Sequence, residues 1–269
     1  MDTNATAKYM KVYRPSWVEV NLENLKHNCR TVKQLVGENV KIAAVVKANG
    51  YGHGAVQVSK ACLEAGADFL TVAVLSEAVE LREAGFTCPI LIMGWTPIEG
   101  YAMAIEQELR LTIYNQQEAE KLNRIAIALG KRAKVHLKLD TGMSRLGFQA
   151  DEAGLAIAEA VLSMEGIEVE GLFSHLSKGD EYDKTFAQGQ VQKFKSFMDE
   201  LKARTGRRIP ICHLGASACI IDIPEGHFDM VRPGIVIYGY SSCAKEMGIE
   251  LKPVMEFSSQ IVAIKHFKK

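Results

Sequence analysis

Short apolar runs rich in β-branched residues alternate along this chain with segments whose apolar residues recur at helical spacing. An N-terminal stretch comes first, "WVEVN" and then the amphipathic "LENLKHNCRTVKQLV". Eight runs follow, at 41–46, 68–74, 89–93, 109–113, 133–139, 167–174, 210–214 and 230–239. Between them lie stretches such as "AVQVSKACLEAG", "SEAVELREAG" and "NQQEAEKLNRIAIALG", with glycine where a helix should stop. Strands that alternate with helices make right-handed crossovers and a parallel sheet, and eight such units close a barrel. The pattern therefore predicts an α/β fold, a (β/α)8 barrel of the TIM type, over residues 1–240. A doubly wound open sheet is the alternative, but no Gly-x-Gly-x-x-Gly follows the first strand, which removes the main support for a dinucleotide fold. Beyond the barrel, "VMEFSSQIVAI" predicts one more strand, expected near Ile261–Ile264 to lack sheet partners.

Composition narrows the class. With 269 residues, 48% hydrophobic and 24% charged, the chain can bury a large core and has the make-up of a soluble enzyme. Lys+Arg and Asp+Glu both number 32, so no net field draws it to nucleic acid or an anionic membrane. Its six cysteines form no Cys-x-x-Cys pair, in a chain too long to need disulfide staples, and a reducing cytosol is the simplest home. The opening "MDTNATAKYMKV" has no signal-peptide core, and no later apolar run reaches membrane-spanning length. The seven histidines show no His-x-x-x-His spacing, so no metal site is expected.

In barrels the site is built where strands end at the carboxyl side. Those ends carry Lys47 in "VVKANGYGHG", Asp140 and Arg145 in "KLDTGMSRLGF", Ser174 and His175, Ser217 in "GASA", and Arg232, Gly234 and Tyr238 in "MVRPGIVIYG". Along strand 5 side chains alternate, so His136, Lys138 and Asp140 share one face, expected inside the barrel, while Val135, Leu137 and Leu139 meet the outer helices. An interior lysine is costly unless paired or chemically changed, so Lys138 reads either as an ion pair or as a modified residue. A lysine at a strand end often only carries its charge to water, His175 alone is a core histidine, and Tyr51 alone is a packing residue. Their shared placement points instead to chemistry. A partly desolvated lysine presents more free amine, which attacks carbonyls, so Lys47 could hold an aldehyde. The Ser217 hydroxyl and the glycine-flanked amides of "RPGI" lie where barrels often bind phosphate. An aldehyde bearing a phosphate is pyridoxal phosphate.

These motifs, "AVVKANGYGHG", "LKLDTGMSRLGF", "FSHLS", "GASA" and "MVRPGIVIYG", resemble in order those of bacterial alanine racemase, over about Trp17–Tyr240. The resemblance implies that Lys47 holds pyridoxal phosphate covalently and serves as the base for the D-enantiomer. It implies that Tyr51, Ser217, Gly234 and Ile235 hold the phosphate, that His175 packs against the ring and that Arg232 faces the pyridine nitrogen. Arg145 would contact the cofactor's phenolic oxygen and the substrate carboxylate, oriented by a Lys138 that many members carbamylate. Ala216 stands where many members have asparagine, and Gly50 where alanine is frequent. The family continues into a β-rich C-terminal domain that gives a catalytic tyrosine to the partner of a homodimer. Residues 241–269 resemble only a linker and the first strand of that domain, so the chain reads as a truncated racemase whose second acid lies elsewhere. The implied substrate is a small amino acid, L- or D-alanine for peptidoglycan precursors. A serine racemase domain of the vancomycin-resistance type and a non-catalytic pyridoxal phosphate carrier are the alternatives.

Overall fold

The computed structural model describes residues 14–241 and 247–268. Cys243 and the opening segment judged to lack a signal peptide lie outside the described residues. Strand β1 (Ser16–Val20) leads into helix α1 (Leu22–Val36), whose cap Asn21 accepts the Asn24 amide at 3.0 Å. Then follow β2 (Lys41–Val45), α2 (Ala55–Glu64), β3 (Phe69–Val72), α3 (Leu75–Glu83), β4 (Ile90–Ile92), α4 (Tyr101–Glu106), β5 (Leu111–Ile113) and α5 (Gln116–Ala128). The second half comprises β6 (Ala133–Asp140), β7 (Phe148–Gln149), α6 (Glu152–Leu162), β8 (Ile167–Phe173), α7 (Thr185–Thr205), β9 (Ile211–His213), α8 (Ser217–Asp222), β10 (Met230–Val231) and β11 (Met255–Ser259). Among the described residues no helix is long and apolar enough to cross a membrane.

Two parallel arcs, β10-β2-β3-β4 and β5-β6-β8-β9, make the ring. A bridge from Leu91 to Arg110 joins them on one side and one from Ala216 to Arg232 on the other. Main-chain bonds reinforce both seams, Arg110 N–H to Ile90 O and Asp229 N–H to Cys212 O, each 2.9 Å. The barrel closes through the eight strands expected. Ala43, Phe69, Ile211 and Met230 pack into a small cluster of their own, while Val135, Leu137 and Leu139 belong to the large core shared with the helices. His136, Lys138 and Asp140 are buried on the opposite face of β6, as the alternation predicted.

Three expectations are corrected. The eighth strand is only Met230–Val231, because Pro233 has no amide to donate and Ile235–Tyr238 turn into a 3-10 segment. Tyr238 is consequently buried, its hydroxyl donating to Val45 O at 3.0 Å rather than facing the mouth. Finally, the strand beyond the barrel spans Met255–Ser259, not Ile261–Ile264, and it has a partner: it pairs antiparallel with β1, Ser16 opposite Ser259 and Val20 opposite Met255. Strand β1 was free to pair because the ring closes without it.

Candidate active site

Lys47 follows β2 directly, and the chain after it takes an uncommon path. Ala48, Asn49, Gly50 and Tyr51 have φ of 52°, 53°, 60° and 53°, a left-handed turn in which only Gly50 is free of steric penalty. Local bonds hold it: Gly50 N–H donates to Val46 O at 2.9 Å and Asn49 Oδ1 accepts the Ala55 amide at 2.8 Å. The clamp is Glu77 on α3. One carboxylate oxygen accepts Ala48 N–H at 2.6 Å, and the other accepts Ala73 and Val74 N–H at 2.7 and 3.3 Å. Glu77 thus ties the loop carrying Lys47 to the loop after β3. The sequence reading missed it, because a glutamate in the first turn of a helix looks like a simple end charge.

At the carboxyl ends of the strands opens a cavity of about 520 Å³, the size of a cofactor pocket. Lys47, Tyr51, Lys138, Arg145, His175, Ser217, Arg232, Gly234 and Ile235 all line it, whereas Ser174 and Tyr238, also expected at this mouth, do not. Nor does Asp140: its carboxylate turns into its own loop, accepting the amides of Gly142, Met143 and Ser144 at 2.8, 2.9 and 3.1 Å. Burial raises that carboxyl, but these amides and Lys138 hold it below the usual range.

The walls are cationic. Lys138 lies 4.5 Å from the centre of the Phe173 ring, and among the described residues no carboxylate comes within ion-pairing distance of it. Burial, then Arg232 and Arg145, push its ammonium well below the ordinary lysine value. The ion-pair reading of Lys138 is therefore not what the geometry offers. Burial also brings Arg232 down to about 10, leaving it cationic at neutral pH. Burial and then the neighbouring cations, Arg232 foremost, lower His175 to about 3, so its imidazole is neutral.

The geometry can be tested against a phosphorylated aldehyde. A β-carbon built on Gly234 would sit 3.1 Å from the Tyr51 hydroxyl and 3.8 Å from Ser217 Oγ, so three donor-bearing groups converge on one space that a side chain at 234 would narrow. Ser217 Oγ accepts the Gly234 and Val236 amides at 3.1 and 3.3 Å, which leaves its own O–H to donate. The Ile235 amide between them has no partner among the described residues. Arg232 commits both Nη groups to protein acceptors, and its Nε–H has none among the described residues. An anion cradle, a lysine amine and an idle guanidinium donor surround one cavity, and they fit pyridoxal phosphate.

Residues 20–242 match the family described as "Alanine racemase, N-terminal domain". Curated relatives include alanine racemase of Methanococcus maripaludis, 43% identical over 94% of this chain and 68% of its own length. Alanine racemase 2 of Caldanaerobacter subterraneus subsp. tengcongensis is also 43% identical, over 94% of this chain and 65% of the relative. Among solved structures, alanine racemase of Clostridium difficile 630 in complex with cycloserine superposes with a TM-score of 0.89 at 39% identity, over 94% of this chain and 70% of that one. The Bacillus anthracis alanine racemase with bound L-Ala-P gives a TM-score of 0.85 at 31% identity, over 91% and 64%. The chain spans about two thirds of the length of these relatives.

Proposed function

The chain belongs to the alanine racemase N-terminal domain family, and from that premise we propose that it is the cofactor-binding barrel of a pyridoxal phosphate-dependent racemase that interconverts L- and D-alanine. The observation that carries this reading is the convergence of Lys47, the Tyr51–Ser217–Gly234 cradle and Arg232 on a single cavity. When bound, pyridoxal phosphate supplies an aldehyde that captures an amine and a conjugated ring that stabilises negative charge on the adjacent carbon.

The residues of the chain do the rest. Lys47, fixed by the left-handed turn, would hold the group through its amine and would take or return a proton on one face of the substrate. The Ser217 hydroxyl, the Ile235 amide and Tyr51 would hold the phosphate at the ends of the last two strands. His175, neutral and lining the cavity, would pack against the ring without adding positive charge to it. Arg232 would donate to the ring nitrogen, and because an arginine keeps its proton it would leave that nitrogen unprotonated. Arg145 binds the substrate carboxylate, with Lys138 beside it as a candidate for carbamylation, which would replace an unpaired buried cation with an acceptor.

Inversion also needs an acid on the opposite face. By family resemblance it comes from a β-rich domain of a homodimer partner, for which 241–269 would be the linker and first strand after a barrel of 1–240. A cytoplasmic role supplying D-alanine to peptidoglycan precursors follows from the same resemblance. The relatives named above are alanine racemases, which favours alanine over serine and an enzyme over a carrier. The test is to load the chain with pyridoxal phosphate, reduce it with borohydride and map the label. Cofactor fixed on Lys47 is expected, and label on another lysine or none would overturn the assignment. Deuterium uptake at Cα of L-alanine in D2O, followed with D-alanine formation, then separates proton exchange from inversion.

A further inference from the structure

Beneath the cavity runs a line of buried polar groups that the proposed function does not use. Arg232 Nη1 meets His213 Nδ1 at 2.8 Å, His213 Nε2 meets His136 Nδ1 at 2.8 Å, and His136 Nε2 meets Glu170 Oε2 at 3.0 Å. Glu170 is gripped from its far side by Arg110, Nε to Oε2 at 3.1 Å and Nη2 to Oε1 at 3.2 Å. His136 and His213 are wholly buried. The line reaches from the start of β5, at the amino end of the barrel, to the guanidinium at its mouth.

Its polarity is fixed from both ends. A guanidinium can only donate, so His213 Nδ1 must be the bare, accepting nitrogen and its Nε2 must carry the proton. His136 Nδ1 then accepts, and His136 Nε2–H donates. Glu170, ionised and held by Arg110, can only accept. From Arg232 to Glu170 every donor points the same way, and each histidine is confined to one neutral tautomer. Burial, the largest influence on both rings, disfavours their charged forms, in agreement with that assignment.

The sheet is built to allow this. Between Val135 and His136 the register with β8 slips, because Val169 pairs with Val135 and Gly171 with His136, so Glu170 is the extra residue of a β-bulge. Glu170 and Phe173 are an odd number apart, and a regular strand would send them to opposite faces. The bulge lets both reach the interior. Gly171 makes the room: a β-carbon there would fall 2.6 Å from Cε1 and 2.7 Å from Cγ of His136. Phe173 lies flat against His213, with ring centroids 4.8 Å apart and planes 1° apart, which fixes the second ring.

We propose that Glu170 and His136 are positioning residues for Arg232, a one-way hydrogen-bond relay through His213 that fixes the guanidinium's orientation and so keeps its Nε–H aimed into the cavity. The relay stands on its own geometry. Its bearing on a bound cofactor rests on the role proposed above for Arg232. Nitrogen-15 spectra of the histidine- and arginine-labelled chain without cofactor test it first. Wild type should show both His136 and His213 as neutral Nε2–H tautomers and Arg232 with slowly rotating, separately resolved Nη signals. An Nδ1–H tautomer at either histidine, or averaged Nη signals, would overturn the proposal without any variant.

The second arm is Glu170→Gln. A glutamine whose oxygen stays with Arg110 offers its NH2 to His136, reversing the relay until donor meets donor at Arg232. Loss of the Nε2–H signals and averaging of the Nη signals are expected, while an unchanged spectrum refutes the positioning role. Should E170Q not fold, His136→Gln serves the same purpose. On loading with pyridoxal phosphate, the visible band of the bound cofactor should shift in the variant relative to wild type. A wild-type chain that shows the tautomers but takes up no cofactor would sink the proposed function and leave the relay standing. A variant with disturbed tautomers and Nη signals but an unshifted band would refute its bearing on the cofactor.

Discussion

Replacing Glu77 with alanine removes the acceptor of three backbone amides, those of Ala48, Ala73 and Val74. Hydrogen bonds to a charged group contribute about 1.5–3 kcal/mol each when fully buried. Glu77 is only half-buried and water can reach the vacated amides, so a net loss of about 2–3 kcal/mol is expected for the set. In a barrel of this size that is a fall in Tm of roughly 5–10 °C. The effect on Lys47 should be larger than on the fold. Left-handed geometry costs about 1–2 kcal/mol per non-glycine residue, and Ala48 and Tyr51 both adopt it, so a loop released from Glu77 has a reason to relax. Amide hydrogen exchange would show this as a loss of protection at Ala48 of roughly 30- to 150-fold, and borohydride trapping of pyridoxal phosphate on Lys47 should slow in parallel. If Tm falls while Ala48 exchange and Lys47 trapping stay at wild-type rates, Glu77 merely staples α3 and the reasoning fails. Ala48→Gly is the counterpart: it removes strain at φ 52° and should stabilise the chain by up to about 1 kcal/mol in a denaturant titration.

Gly171→Ala forces a methyl group into the His136 ring and should cost about 1–3 kcal/mol in denaturant unfolding, whereas a neutral result would show that the ring has room to move. Ser217→Ala removes the acceptor of the Gly234 and Val236 amides and one donor to the phosphate, so pyridoxal phosphate affinity should fall about tenfold by titration, with a loss of about 1–2 kcal/mol in the stability of the chain without cofactor. Intact-mass measurement under native conditions should find a carbamyl adduct that Lys138→Ala abolishes, and a bare Lys138 would overturn that reading. Acid should unfold the chain early. His136, His175 and His213 have folded values below the ordinary histidine value, so the stability they contribute is complete above about pH 6.5 and declines below it, as the unfolded chain takes up protons first. Burial alone would raise Glu170, but the hydrogen bonds from His136 and Arg110 take it down to about 2, so its contribution, about 2–3 kcal/mol, is lost between roughly pH 4.5 and 2. Urea titrations across this range check the sign, and Glu170→Gln should flatten only the part below pH 4.5.

Local chemistry was readable in the chain itself. The alternation of β6 placed His136, Lys138 and Asp140 inside, and the eight-fold repeat of strand and helix fixed the barrel, because residue periodicity and strand-end position are properties of short segments. Lys47 and the Ser217 and Gly234 loops could be read the same way, each standing at the end of its own strand. What tertiary structure alone decided are the contacts between segments far apart in the chain. The bulge at Glu170 breaks the period-two rule that sequence reading relies on, and only its pairing with β6 reveals it. Glu77 clamps an amide 29 residues away, and the line from Arg110 to Arg232 draws on residues of three strands and two strand ends. Strand β11 finds β1 across 243 residues, at the Ser16–Ser259 hydroxyl pair, because a closed ring leaves the first strand an open edge. Hydrogen bonds of this kind depend on where the closed barrel brings backbones together, which no local pattern of apolar and polar residues encodes.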